Sequence, residues 1–136
     1  MKTDKVFLDA NILFSVAYGS HGLERLWDCE KKGLCVLLAS RYVIEEAKRN
    51  LIDPEQLRKL QTHLSNVKVI IEPDPIVKCP VDLPKEDQPV LTAAVSANAD
   101  YLLTGDMKHF GKYFGQTIAG VKISMARDYL MSKTKS

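Results

Sequence analysis

Two hydrophobic rhythms alternate along the chain. Short runs of nearly unbroken apolar residues, Val6-Phe7-Leu8, Cys35-Val36-Leu37-Leu38-Ala39, Val67 to Ile71 and Tyr101-Leu102-Leu103, stand between longer stretches in which apolar residues recur every three or four positions. A run without polar interruption reads as a strand covered on both faces, as in a parallel sheet. The three-to-four spacing reads as a helix with one buried stripe. The pattern predicts a strand at Val6–Leu8, then a helix over Ala10–Tyr18 that stops near Gly19. A second helix follows from about Gly22 to Lys32, with Leu23, Leu26 and Trp27 on one face and Gly33 as its stop. After the Cys35–Ala39 strand, Ser40 is a good N-cap for a helix to Leu51, buried through Val43, Ile44, Ala47 and Leu51. Asp53-Pro54 opens another, to about Leu64, with proline in the first turn, where it costs no hydrogen bond.

The strand at Val67–Ile71 leads into the one irregular stretch. Residues 72–86 hold Pro73, Pro75, Pro80 and Pro84, four of the six prolines, and read as a loop. A helix is expected from about Asp87 to Asn98, with Val90, Leu91, Ala94 and Val95 inward. A strand at Asp100–Thr104, a short turn or helix from Gly105-Asp106 through His109-Phe110, a strand at Val121–Ile123 and a helix over Met125–Met131 complete the chain. Regular alternation of β and α units predicts a mostly parallel central sheet in a three-layer α/β/α sandwich.

Size and composition narrow this further. At 136 residues the chain fits a single domain, 1–136, large enough to bury a core without disulfide or metal. A net charge of +2 permits a polyanionic partner without arguing for one. Cys29, Cys35 and Cys79 are odd in number and lack C-x-x-C spacing, which points to reduced thiols and a cytoplasmic protein. No apolar run nears the ~20 residues of a membrane-spanning helix. Met1 to Lys5 leads straight into a strand, with no signal-peptide core.

Four acids change the picture. Asp9 and Asp106 each close a strand-like run, at the rim where open α/β sheets bind ligands. Asp87 precedes Val90, Leu91 and Ala94 by three, four and seven residues, on the inward stripe at the start of its helix. Glu46 lies nearer the Val43–Ala47 stripe than Glu45 does, by a modest margin at ~100° per residue, so both stay open with Glu46 favoured. Each acid alone has an ordinary explanation, as an N-cap or a solvated glutamate. Together at one rim they are costly: at 4 Å and an effective dielectric near 20, each carboxylate pair repels by about 4 kcal/mol, against a net fold stability of about 5–15 kcal/mol. A bound divalent cation is the economical explanation. With oxygen ligands and no histidine pair beside them, Mg²⁺ or Mn²⁺ suits better than Zn²⁺.

These residues resemble the PIN domain, the nuclease fold of VapC-type toxins and of RNA-processing and decay factors, over almost the whole chain. Phe7-Leu8-Asp9-Ala10-Asn11-Ile12-Leu13 is similar to the family's opening D-x-N strand–helix motif. Ser40 to Glu46 resembles its glutamate-bearing helix, and Glu86 to Ala94 the helix that starts with the third acid. Thr104-Gly105-Asp106, followed by His109-Phe110, resembles its most specific segment. Position 10 is Ala where Thr or Ser is frequent, and Lys85-Glu86 stands where a further aspartate is common.

The resemblance implies a Mg²⁺- or Mn²⁺-dependent endoribonuclease. Asp9 and Asp106 would be the core ligands, Glu46 and Asp87 would complete the set, and Asn11 and Thr104 would orient metal-bound waters. Arg41, Lys85, Lys108 and His109 are candidate substrate contacts, with Lys48, Arg49 and Lys112 on the same grounds of position; for His109, a packing role is favoured over touching a phosphate or donating to a leaving group. His21 and His63 are expected at the surface. Charge of this kind is usually a solvated face, and phosphate contacts would carry no sequence readout. A toxin of a type II toxin–antitoxin pair and a stand-alone nuclease both fit the size. The partners implied are RNA, an antitoxin protein in the first case, and a second copy as a homodimer. The alternatives are a non-catalytic PIN-fold RNA- or protein-binding module, which the intact acids oppose, and a phosphatase or receiver-type Mg²⁺ protein, which lacks its lysine pattern here.

Overall fold

The computed structural model describes residues 2–134; Met1, Lys135 and Ser136, at the ends of the expected domain, lie outside the described residues. Strand β1 (Asp4–Leu8) is followed by helices α1 (Ala10–Tyr18) and α2 (His21–Lys31), then β2 (Cys35–Ala39), α3 (Arg41–Arg49), α4 (Pro54–Leu64) and β3 (Val67–Val69). Past the 72–86 loop come α5 (Gln88–Ser96), β4 (Tyr101–Leu103), α6 (Met107–Phe110), a 3-10 turn (Gly111–Tyr113), the hairpin β5 (Thr117–Ile118) and β6 (Val121–Ser124), and α7 (Ala126–Thr134). The six strands form one sheet in the order β3-β2-β1-β4-β6-β5, parallel except for β5 against β6. This is the mostly parallel α/β sandwich that the alternating rhythm predicts.

The order explains where a site can form. From β1 the chain steps outward to β2 and β3, then returns past β1 to β4 and on to β6. Parallel crossovers are right-handed, so reversing direction moves the connecting helices to the other face of the sheet. Accordingly α1 packs against α3 and α4, while α5 packs against β4. The reversal opens a crevice between the C-terminal ends of β1 and β4, the place where such sheets bind ligands.

The core fits this layering. Val6, Phe7 and Leu8 of β1 and Leu102 and Leu103 of β4 are wholly buried, as strands between two helical layers must be. Helix caps follow local chemistry: Ser40 accepts a hydrogen bond from the Val43 N–H, Asp53 from that of Glu55, and Gly19 closes α1 at φ +125°.

The structure differs from the pattern at the C-terminal edge. The chain has a sixth strand, β5, joined to β6 by a two-residue turn of Ala119 (φ 50°) and Gly120 (φ 88°). Positive φ at both positions is the geometry of a type I′ hairpin, which Asn-Gly normally announces. Alanine at the first position hides it. His63 also departs from expectation: its ring stands edge-on to Trp27 at 4.9 Å and its side chain is 16% exposed, so it is a packing residue of α4. His21 is at the surface, beside Glu24.

Candidate metal centre

Three of the acids converge because of how their elements end. Asp9 follows β1 and begins α1: its Oδ1 accepts the Ala10 N–H at 2.7 Å. Asp106 follows β4 and begins α6: its Oδ1 accepts the His109 N–H at 3.1 Å. In both, the N-cap reading is right for one oxygen, and the second oxygen is left for partners outside the helix: Thr104 and Asn11 at Asp9, His109 at Asp106. Asp87 sits at the head of α5 but makes no side-chain cap, although it is buried. The capping explanation therefore fails for this residue. Glu46 comes from α3, which meets α5 at this edge.

One cavity of about 420 Å³ gathers all four, with Ala10, Asn11, Phe14 and Asn50 completing its wall. Glu46 is half-buried there, while Glu45 is exposed and pairs with Lys48. Phe14 and Asn50 lack any sequence signal beyond position: Phe14 is one helical turn beyond Ala10, and Asn50 one beyond Glu46.

Asp9 is fixed by a compact polar network. Its Oδ2 accepts from the Thr104 hydroxyl at 2.9 Å and the Asn11 amide at 3.3 Å. The same hydroxyl accepts from Asn11 Nδ2 and from the Asp106 N–H. Asn11 Oδ1 accepts the Gly105 N–H at 2.8 Å. Asn11 and Thr104 thus tie the end of β1 to the loop after β4, and hold Asp9 and Asp106 at a set separation.

His109, from α6, is the nitrogen that the all-oxygen ligand set did not include. Its Nδ1 lies 2.7 Å from Asp87 Oδ2 and 3.0 Å from Asp106 Oδ2. Despite these short approaches, Asp87 Oδ2 and His109 Nδ1 are both buried without an aligned hydrogen bond. An imidazole wedged between two carboxylates can direct one N–H at most at one of them. Glu86, Asp87 and His109 each also offer a ligand atom within 4.8 Å of the others, so Asp87 belongs to both groupings.

The electrostatics follow. Burial pushes Asp9 up from 3.8 to about 6, opposed by the Thr104 hydroxyl and the Ala10 N–H and reinforced by Glu46 and Asp87. Burial also raises Asp87; His109 opposes it, while Asp106, Glu86 and Glu46 add to it. Among the described residues no lysine or arginine lines the cavity. Mostly oxygen donors, with one imidazole and a buried carboxylate oxygen lacking an aligned partner, fit a divalent cation of the Mg²⁺ or Mn²⁺ kind.

The expected basic contacts fall elsewhere. Arg41, Lys85 and Lys108 are exposed and line no part of this cavity; His109 is not in its wall either, but reaches two of the acids that are, Asp87 and Asp106. Cys29 and Cys35 are buried free thiols and Cys79 is half-buried. Among the described residues no helix is long and apolar enough to cross a membrane.

A family model described as PIN domain matches residues 5–108. No curated protein matches the chain. Among solved structures, a chain in the crystal structure of VapBC2 from Rickettsia felis, bound to a DNA fragment from their promoter, superposes with a TM-score of 0.63. The alignment covers 89% of this chain and 98% of that one at 17% identity, a likeness of fold.

Proposed function

We propose, from the premise that this chain belongs to the PIN-domain family, that it is a divalent-metal-dependent endoribonuclease. The observation that carries the reading is the cavity at the sheet's switch point, where Asp9, Glu46, Asp87 and Asp106 meet with no lysine or arginine among them. Mg²⁺ or Mn²⁺ in such a site supplies a water of lowered pKa and positive charge toward a scissile phosphate. Asp9 and Asp106 are the core ligands, positioned by Thr104 and Asn11, and Glu46 and Asp87 complete the set from α3 and α5. His109 sets the orientation of Asp87 and Asp106 from α6. No serine or cysteine lines the cavity, which favours direct attack by water over a protein nucleophile.

The solved VapBC2 chain supports a narrower reading through its fold. The protein is the toxin of a type II pair, and an antitoxin protein covers the carboxylate cavity until released. A cytoplasmic RNA is then its substrate.

The test is cleavage of a mixed RNA pool by purified protein in Mn²⁺, in Mg²⁺ and in chelator, alongside Asp9→Asn and Asp106→Asn with circular dichroism as folding control. Metal-dependent cleavage lost in both folded variants is expected. Undiminished cleavage by the variants sinks the assignment, and absence of cleavage in every condition favours a binding module. Co-purification with the product of a neighbouring small gene tests the toxin reading.

A further inference from the structure

A polyanion approaching four carboxylates is repelled everywhere that a cation does not intervene. A metal ion in the cavity relieves this at the scissile phosphate but not at the phosphates on either side. The next phosphate along a strand needs a positive group from the protein itself, and the carboxylate cavity has none.

A second cavity, of about 550 Å³, shares Asn11 and Asp106 with the first and lies on the other side of the head of α1. Its floor is apolar, with Leu23 and Met125, and Arg127 of α7 stands in its wall. Among the described residues, Arg127 is the one lysine or arginine in the walls of the two cavities. It is exposed, and no ion pair is formed by it among the described residues. Its guanidinium can therefore meet a phosphate without first breaking a salt bridge. Arginine suits this task because its planar fork matches two phosphate oxygens at once.

We infer that the nucleic-acid strand crosses the ridge formed by Asn11 and Asp106, with one nucleotide beyond the scissile bond seated in this second groove and its phosphate held by Arg127. The inference rests on the nuclease reading of the carboxylate cavity and concerns only the path of the strand beyond it. Leu23 and Met125 offer apolar surface to one base, and such surface is usable only by a base that is unstacked and unpaired. Contact with phosphate gives affinity at this position without reading sequence.

Two measurements on the full-length protein test this. The first is steady-state cleavage of a short single-stranded RNA in Mn²⁺ by wild type, Arg127→Ala and Arg127→Lys. Arg127→Ala should raise KM five- to tenfold with kcat within twofold, and Arg127→Lys should recover most of the loss. The second is fluorescence anisotropy of a labelled single-stranded RNA in chelator, where nothing is cleaved, as a function of salt. Arg127→Ala should reduce the slope of log K against log salt by about 0.7, the contribution of one phosphate contact on a single strand, and Arg127→Lys should restore it. Melting curves of all three proteins serve as the folding control. Folded Arg127→Ala with unchanged KM and unchanged salt slope overturns the groove. Wild type that never cleaves while the salt slope still responds to Arg127 overturns the nuclease reading and leaves the binding groove standing. A change in oligomeric state without a change in RNA affinity assigns the groove to protein contact and overturns the inference as well.

Discussion

Strand β1 carries a buried aspartate at each end, and the two are treated in opposite ways. Asp4, at the N-terminal end, is met by Lys133 Nζ at 2.6 Å and by the Tyr129 hydroxyl at 3.0 Å. The hydrogen bond to Asp4 holds Lys133 above the usual lysine range, and burial lifts Tyr129 above the range of a phenol. Asp9, at the C-terminal end, is oriented by neutral donors only, and the charges that reach it come from Glu46 and Asp87. A fold that needs a buried charge for its own integrity supplies the counter-charge from within. On the proposed reading, a fold that withholds it at the switch point, while fixing the carboxylate with three hydrogen bonds, leaves the counter-charge to a cation from outside.

The comparison breaks first on activity. Asp9→Asn and Asp106→Asn should each lower RNA cleavage by at least about a hundredfold, since loss of a direct ligand exceeds the ten- to hundredfold cost of losing an outer hydrogen bond. Asp4→Asn, at a position that is also buried, should leave the rate within a few-fold. If Asp4→Asn silences cleavage in a folded protein as thoroughly as Asp9→Asn, the two ends are not different in kind.

The next effect is on stability against pH. The folded-state pKa of Asp9, about 6, lies above its ordinary 3.8. The folded chain therefore holds this proton more tightly than the unfolded chain. That contribution is fully present below about 3.8 and is lost as pH rises through 6, by on the order of 3 kcal/mol. Urea unfolding in chelator should show wild type losing stability relative to Asp9→Asn between pH 4 and pH 7. Parallel curves for the two proteins would mean that Asp9 is not held against its charge. Asp4→Asn should instead destabilise by about 2 kcal/mol, because it weakens a charge-assisted pair with a partly buried lysine and a bond to a buried phenol. The same urea curves measure it.

The smallest effect concerns α3. Glu46→Gln should reduce cleavage several-fold more than Glu45→Gln, as Glu46 lines the cavity and Glu45 pairs with Lys48 in solvent. Equal effects in the cleavage assay would place both glutamates outside the site.

Much of this was readable from the order of residues. Among the described residues, five of the six strands and the succession of helices follow from two hydrophobic periods, with α6 readable only as a turn or helix, and helical phase was enough to favour Glu46 over Glu45; the strand order that makes the switch point was not readable. Side-chain placement that depends on how two elements pack was not readable. His109 reaches Asp87 only because α6 folds back toward α5, and no spacing encodes that approach. Arg127 is one exposed arginine among many basic residues until α7 brings it beside Asp106. The β5–β6 hairpin was hidden by Ala119, whose left-handed backbone alanine seldom adopts. The capping role of Asp9 and Asp106 and their place in the crevice proved compatible, because each carboxylate has two oxygens and the helix takes one.

The most direct measurement is a pair of melting curves, for wild type and Asp87→Asn, each in chelator and in Mn²⁺. Asp87 is the sharpest probe because it is buried, makes no cap and leaves one oxygen without an aligned partner. Removing its charge should raise the melting temperature in chelator. Mn²⁺ should raise that of wild type by mass action on the folded state, and that of the variant less. A variant that melts lower than wild type in chelator, with Mn²⁺ shifting neither protein, would contradict the claim that these carboxylates form one uncompensated cation site.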